Sequence, residues 1–236
     1  MQRTALLALA LLSVADWRAV SGAPCEDPNG CEANFNCNKT LEHDQVPQAS
    51  CYISKCERAI QDHVQFEFNA AFTYLAMGAH FAQENVNRPG IAKFLLGAAS
   101  EERSHAILML DYLNKRGIPL KPKNARYEYV TDPVIQDRLN KLEMIDYKDA
   151  LTQALNMELD VTQRIYHVIK ACEDDYHGAD VFTNPILDEQ HHGVRNLQGA
   201  IKTFDNLVEG AEANPQYKNY AEYTFDMGVL KGEIAV

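Results

Sequence analysis

Basic residues are scarce in this chain. It has 22 Lys and Arg against 33 Asp and Glu, a formal net charge of −11 over 236 residues. That balance argues against a nucleic-acid surface and favours cations, which an acidic cleft or pore attracts. After residue 30 there is no run near the roughly 18–20 apolar residues needed to span a bilayer, so no membrane span is expected. Internal repeats and low-complexity tracts are missing too, which excludes solenoids and tethers. The cysteines include no Cys-x2-Cys pair with a nearby His doublet, the spacing a zinc knuckle needs. What remains is room for one sizeable domain with extensions.

The first residues differ in kind from the rest. Arg3 gives a positive start, Ala5 to Val14 is an apolar run, and the small residues Ser21, Gly22 and Ala23 follow. This is the pattern of a secretory signal peptide, expected over residues 1–22; a mitochondrial transit peptide would be richer in Arg. Five of the six cysteines (Cys25, Cys31, Cys37, Cys51, Cys56) then fall within 32 residues. In an oxidising compartment that density reads as disulfides. Because five is odd, at least one must pair with Cys172, pair with another chain or stay free. Asn38-Lys39-Thr40 is a glycosylation sequon in the same segment. Residues 23–55 therefore read as a Cys-rich, non-helical extension of a secreted protein.

From Cys56 onward the apolar period becomes about 3.6, and residues 56–236 read as one all-α domain. Helices are expected over about 56–84, 89–116 and 146–173, with Pro89 at the first turn of the second. Between the second and third lie some 25 residues with Pro119, Pro122 and Pro133 and no helical stripe. Such a segment can cross the length of a bundle and so join parallel neighbours. The fourth helix ends near Val208, and its start is open between Asp180 and the Asn184-Pro185 pair. A short fifth helix follows at about 217–229. The architecture is a four-helix up-down bundle with one long crossover.

Each helix carries an apolar stripe spaced by threes and fours, and each stripe is interrupted by polar residues. The first runs from Ile60 to Phe81 through Glu67 and Tyr74. The second runs from Ile91 to Tyr112 through Glu102 and His105, the third from Leu151 to Cys172 through Glu158, and the fourth from Ile186 to Val208 through Gln190. An ionised carboxylate buried without a partner costs several kcal/mol, and three converging carboxylates repel one another. A polyvalent cation resolves both problems, because carboxylate oxygens are hard ligands for hard metals. Glu102 and His105 are one turn apart and can reach the same ion. Alone, any one of these residues would be ordinary; their convergence on inward stripes of different helices makes a site.

Zinc prefers Cys- and His-rich sets, and calcium sites favour loops with backbone carbonyls, so two irons are the expected occupants. Glu102 would bridge them, with Glu67 and His105 on one ion, Glu158 on the other and Gln190 a weak or indirect ligand. Tyr74 would hydrogen-bond a ligand or donate an electron. The rival Glu189-x-x-His192 pair lies one and two residues off the stripe, at about 100° per residue, so the register favours Gln190. His191 and His192 then read as a solvated or interface pair.

The segments Phe66 to Met77, Ser100 to Ala106, Asn156 to Glu158 and Leu187 to Gln190 resemble the ferritins, and the likeness extends over about residues 57–230. It implies a ferritin-like bundle and a complete ferroxidase set: Glu67, Tyr74, Glu102, His105, Glu158 and Gln190. It also implies oxidation of ferrous iron by dioxygen and a shell of twenty-four subunits storing ferric mineral. The leader, the Cys-rich extension and the stretches Tyr74 to Phe81 and Lys170 to Asp175 are similar to secreted arthropod heavy chains, which assemble with a light-type subunit, linked in part by disulfides. Two departures stand out. The family's acidic mineral-nucleating positions are here Lys93, Leu96, Gly97 and Ser100, with Ser104 and Ile107 nearby and only Glu101 retained. At the three-fold pore Asp180 matches, but Thr183 stands where Glu is usual, leaving Glu173, Asp174 and Asp175 as a possible outer funnel. The rival readings are a storage or carrier subunit without catalysis and a di-iron oxidase acting on an organic substrate.

Overall fold

The computed structural model describes residues 54–116, 145–209 and 214–236, and every regular element among them is helical. The expected leader and nearly all of the Cys-rich extension lie outside the described residues, as does the crossover.

Helix α1 spans Ser54–Phe81 and α2 spans Pro89–Lys115. Asn87 takes a positive φ of 50° in the turn between them. With Pro89 in its first turn, α2 is pre-set in φ and lacks one of the amides that would need capping. Arg88 gives no side-chain cap; the cap comes instead from far along the chain. The buried Asp226 carboxylate accepts from Gly90 N at 3.0 Å and Ile91 N at 2.8 Å. Helix α3 spans Tyr147–Ala171 behind an Asp146 N-cap, the side-chain acceptor such a start favours.

Neither expected start of the fourth bundle helix caps it: Asp180 lies inside a helix that opens earlier, and Asn184-Pro185 marks a kink rather than a beginning. A short α4, Tyr176–Val181, opens behind Asp175, and a π-helical turn, Phe182–Ile186, leads into α5, Leu187–Val208. Within that turn Asn184 is extended (φ −146°, ψ 95°), because the ring of Pro185 disfavours helical backbone in the residue before it. The rod therefore bends one turn before the metal-facing residues begin. The last helix, α6, spans Pro215–Lys231 and ends on Gly232 at φ 75°, the left-handed conformation that glycine adopts without cost.

The helix directions follow from what meets at each end. At one end the Tyr147 ring lies against Phe81, Phe204 and Phe225, and its hydroxyl donates to Asp226 at 3.0 Å. This brings together the end of α1, the starts of α2 and α3, the end of α5, and α6. At the other end Cys56 is disulfide-bonded to Cys172, and Arg116 pairs with Asp175 at 3.0 Å. Helices α2 and α3 thus run parallel. The chain between them must return the length of the bundle, about 37 Å for a 25-residue helix rising 1.5 Å per residue. This is the arrangement that the proline-containing crossover predicts.

The buried apolar residues form two clusters. One holds Met77, Leu95, Leu151, Phe204 and Phe225, and the other Ile60, Val64, Met109, Val161, Ile165 and Phe182. A layer of buried polar side chains lies between them.

Candidate metal centre

Helices α1, α2, α3 and α5 each bring polar groups into this layer. Glu67 is fully buried, Glu102 is 2 % exposed, Gln190 3 %, and His105 and Glu158 are also buried. All the residues expected of the site meet here. One ligand atom from each of Glu67, Glu102 and His105 lies within 4.8 Å of the others. Atoms on opposite sides of one ion with bonds of about 2.0–2.2 Å stand about 4.0–4.4 Å apart, so a few tenths of an ångström of inward movement would let the three share a cation. Glu158 enters from α3, where its Oε1 accepts from the Tyr74 hydroxyl at 2.5 Å. That hydroxyl also lies 3.3 Å from the Ala154 carbonyl oxygen. Thr162 donates to the Glu158 carbonyl at 2.7 Å, and its hydroxyl stands 3.2 Å from Gln190 Oε1.

The electrostatics are those of a negative cluster short of cations. Burial raises the Glu67 carboxyl. Burial and the neighbouring Glu67 charge raise Glu102 well above the usual carboxylate range. Glu158 is pushed up to about 7 by burial and the charge of Glu102, against hydrogen bonds from Tyr74 and Gln190. Burial and the same carboxylates raise the Tyr74 phenol, so it stays a neutral donor. Burial opposes the charged form of His105, but its bond to Glu102 and the charges of Glu67 and Glu102 outweigh that and take it to about 10. The imidazolium donates through Nδ1 to Glu102 at 3.2 Å and through Nε2 to Glu189 at 3.0 Å. It stands where a metal would otherwise supply positive charge. With Glu67 and Glu102 both ionised, both Glu67 oxygens are buried with no hydrogen-bond partner, a costly state for a carboxylate that either a proton shared between the two carboxyls or a cation relieves.

The ferritin-like domain family matches residues 57–207, most of the described chain. The ferritin heavy chain of Trichoplusia ni is 39 % identical over 180 residues, covering 74 % of this chain and 79 % of that one. The chain belongs to the ferritin family. The ferritin heavy chain of Papilio xuthus is 36 % identical over 187 residues, covering 76 % and 81 %. The crystal structure of Trichoplusia ni secreted ferritin superposes with a TM-score of 0.63 at 33 % identity, over 82 % of this chain and 97 % of that one.

Two further residues reach this ferritin's centre: Glu189, which the stripe register sets aside, and His63, which the sequence reading missed. Glu189 is turned aside as its register requires, with a side chain 62 % exposed, yet its carboxylate reaches back to His105. His63 is buried one turn before Glu67, with Nε2 3.0 Å from Glu67 Oε1; burial lowers it to about 4, so its imidazole is neutral. The signal for His63 was its i, i+4 spacing to Glu67, which puts the two side chains on neighbouring turns of one face. His192 is exposed as expected, and His191 stands beside Tyr166.

A cleft of about 650 Å³ between α2 and α5 leads to the layer, lined by Glu101, Glu102, His105, Glu158, Glu189 and Gln190 among others. Gly193 borders it, where a Cβ would make only an ordinary contact with Glu158 Oε2, at 3.9 Å. The α2 positions Lys93, Leu96, Gly97, Ser100, Glu101, Ser104 and Ile107 are all exposed, as are Asp180 and Thr183. The expected acidic funnel is reduced. Asp175 is buried, capping α4 and paired with Arg116, while Glu173 and Asp174 each lie 3.4 Å from Lys55 Nζ. Among the described residues no helix is long and apolar enough to cross a membrane.

Proposed function

We propose that this ferritin is a ferroxidase and iron-storage subunit. The observation that carries the reading is the convergence of Glu67, Glu102 and His105 in a buried layer, with both Glu67 oxygens lacking a hydrogen-bond partner. Iron is the substrate. Two ferrous ions enter the layer, one taken by Glu67, Glu102 and His105, the other by Glu102 and Glu158 with Gln190 beside it. Each gives up one electron. One dioxygen takes up both electrons with two protons, leaving hydrogen peroxide and two ferric ions. Tyr74 holds Glu158 in place through its hydroxyl. The apolar clusters on either side keep bulk water from the layer, which strengthens every charge interaction inside it. Ferric ions leave by the cleft for storage as mineral.

The same reading covers assembly and compartment. The subunit joins a shell of twenty-four with a light-type partner, which supplies the acidic nucleation surface that the exposed Lys93, Leu96, Gly97 and Ser100 do not. Residues 1–22 direct secretion, and residues 23–55 carry disulfides formed in the secretory pathway. The heavy-chain names of its relatives and the secreted ferritin of Trichoplusia ni support this.

The test is stopped-flow oxidation of ferrous iron under air by the assembled mature chain. The expected result is a fast phase saturating at about two irons per subunit, lost in Glu102→Gln and His105→Ala variants that still assemble. A wild-type rate in either variant, or no phase above the buffer blank from an intact shell, would overturn the proposal.

A further inference from the structure

His63 sits on the face of α1 that looks into the carboxylate layer. Phe66 stacks on its ring at 6.2 Å between centroids, and Phe182, from the π turn before α5, meets the ring edge-on at 5.7 Å. These aromatic walls fix the imidazole. Its Nε2 is 3.0 Å from Glu67 Oε1, and at that distance an N–H···O bond would be expected. No such bond joins them: His63 Nε2, Glu67 Oε1 and Glu67 Oε2 are all buried without a hydrogen-bond partner. Three orphaned polar atoms side by side in a protein core are costly. Two atoms that approach without bonding each other are arranged to share a third partner. Cis ligands of one divalent ion, with bonds of about 2.0–2.2 Å, stand about 3 Å apart, which is the spacing of His63 Nε2 and Glu67 Oε1.

Building on the metal-binding reading of this centre, we propose that His63 Nε2, which stands beside Glu67 and outside the trio whose ligand atoms already converge, moves in with Glu67 as a fourth protein ligand to the cation held by Glu67, Glu102 and His105. The site then takes two imidazoles and two carboxylates on that ion, while the ion at Glu158 keeps mainly oxygen ligands. An imidazole adds a strong donor without adding negative charge and fills a position otherwise left to water. It also shifts preference toward borderline metals such as iron, cobalt and zinc over magnesium and calcium. The two positions are therefore unequal: the ion at Glu67 is retained while the ion at Glu158 exchanges.

The experiment uses the assembled, chelator-stripped full chain loaded with one Zn2+ per subunit. X-ray absorption counts the imidazoles on the metal, and calorimetric titration gives the affinity, for wild type, His63→Gln and Glu102→Gln. The expected result is two imidazoles in wild type, one in His63→Gln, and an affinity at least tenfold weaker in that variant. A single imidazole on wild-type zinc overturns the assignment without recourse to any variant, as does unchanged affinity in His63→Gln. Glu102→Gln separates the two proposals. If it abolishes binding and wild type shows one imidazole, the centre stands and only the role of His63 falls. If zinc binds Glu102→Gln as it binds wild type, the centre itself is wrong and the His63 assignment falls with it.

Discussion

Replacing Glu158 with Gln should make the metal-free protein more stable while impairing its centre. Glu158 is buried and its carboxyl is pushed from 4.5 up to about 7. Holding it ionised above that pH costs about 3 kcal/mol, at 1.36 kcal/mol per tenfold change in proton affinity. Because the folded-state value is raised, the native protein binds more protons than the unfolded chain between about 4.5 and 7. The stability tied to this group is complete below 4.5 and is lost as pH rises through 7. Glutamine removes the charge and keeps an oxygen to accept from Tyr74, but its new amide donor needs a partner, at a cost of about 1 kcal/mol. The net gain at pH 8 is about 2 kcal/mol, or about 5 °C in thermal midpoint for a chain of this size. In chelator, Glu158→Gln should melt above wild type at pH 8 and slightly below it at pH 4.5, where only the amide cost of about 1 kcal/mol remains. Zn2+ should stabilise both proteins through the ion at Glu67, but only wild type keeps the position at Glu158; at about one hundred times the dissociation constant of that second ion the extra is about 2.7 kcal/mol, which reverses the order. No gain in chelator at pH 8, or the same gain at pH 4.5, would refute the reasoning.

Other perturbations have equally direct readouts. Replacing Cys56 and Cys172 together by Ala removes a cross-link spanning 116 residues. The chain-entropy model puts its worth at about 5 kcal/mol, and reductant should lower the wild-type melting temperature toward the variant's. Gly90→Ala places a Cβ 2.1 Å from the Asp226 carbonyl oxygen. It should cost about 3 kcal/mol or more, loosen α6, and speed tryptic cleavage at Lys218 and Lys231. Tyr74→Phe leaves Glu158 without its short hydrogen bond and should lower stability at pH 8 by about 1–3 kcal/mol in chemical denaturation. His105, at about 10, holds a proton at neutral pH that a metal must displace. Zinc binding at pH 7 should release at least one proton per ion in a weakly buffered indicator assay, and affinity should rise with pH. His105→Ala should lower that release by about one proton per ion, leaving the part that the raised carboxyls contribute.

The buried faces of the four bundle helices were legible because periodicity reports burial directly. Nearly every residue on the four stripes is buried, and the polar interruptions at Glu67, Glu102, His105, Glu158 and Gln190 are too. Features that depend on tertiary reach were not. Asp226 caps α2 from a helix more than 130 residues away, and no local rule connects it to Gly90. Glu189 lies off the stripe by angle, but three side-chain torsions let its carboxylate return to His105. His63 sits next to Val64, itself a core position, so a single sequence offered no reason to prefer a ligand over an ordinary buried histidine. The start of the fourth helix looked like a choice between Asp180 and Asn184-Pro185, when the chain opens earlier behind Asp175 and uses Asn184-Pro185 as a kink. Asp175, read as part of a solvated acidic run, is buried because Arg116 from α2 lies within reach of it.

The Cys56–Cys172 bond also sets an order of events during synthesis. Cys56 leaves the ribosome with its neighbouring cysteines, but its partner follows 116 residues later. At about 5–20 residues per second that is a delay on the order of ten seconds. Throughout it, Cys56 is a thiol without its native partner, at the start of a helix whose antiparallel mate α2 is complete about halfway through the wait. Early docking of α1 on α2 would draw Cys56 into apolar surroundings and away from the four other cysteines nearby in the chain. On this view the α1–α2 hairpin acts as a timer, holding one thiol in reserve until the end of α3 arrives.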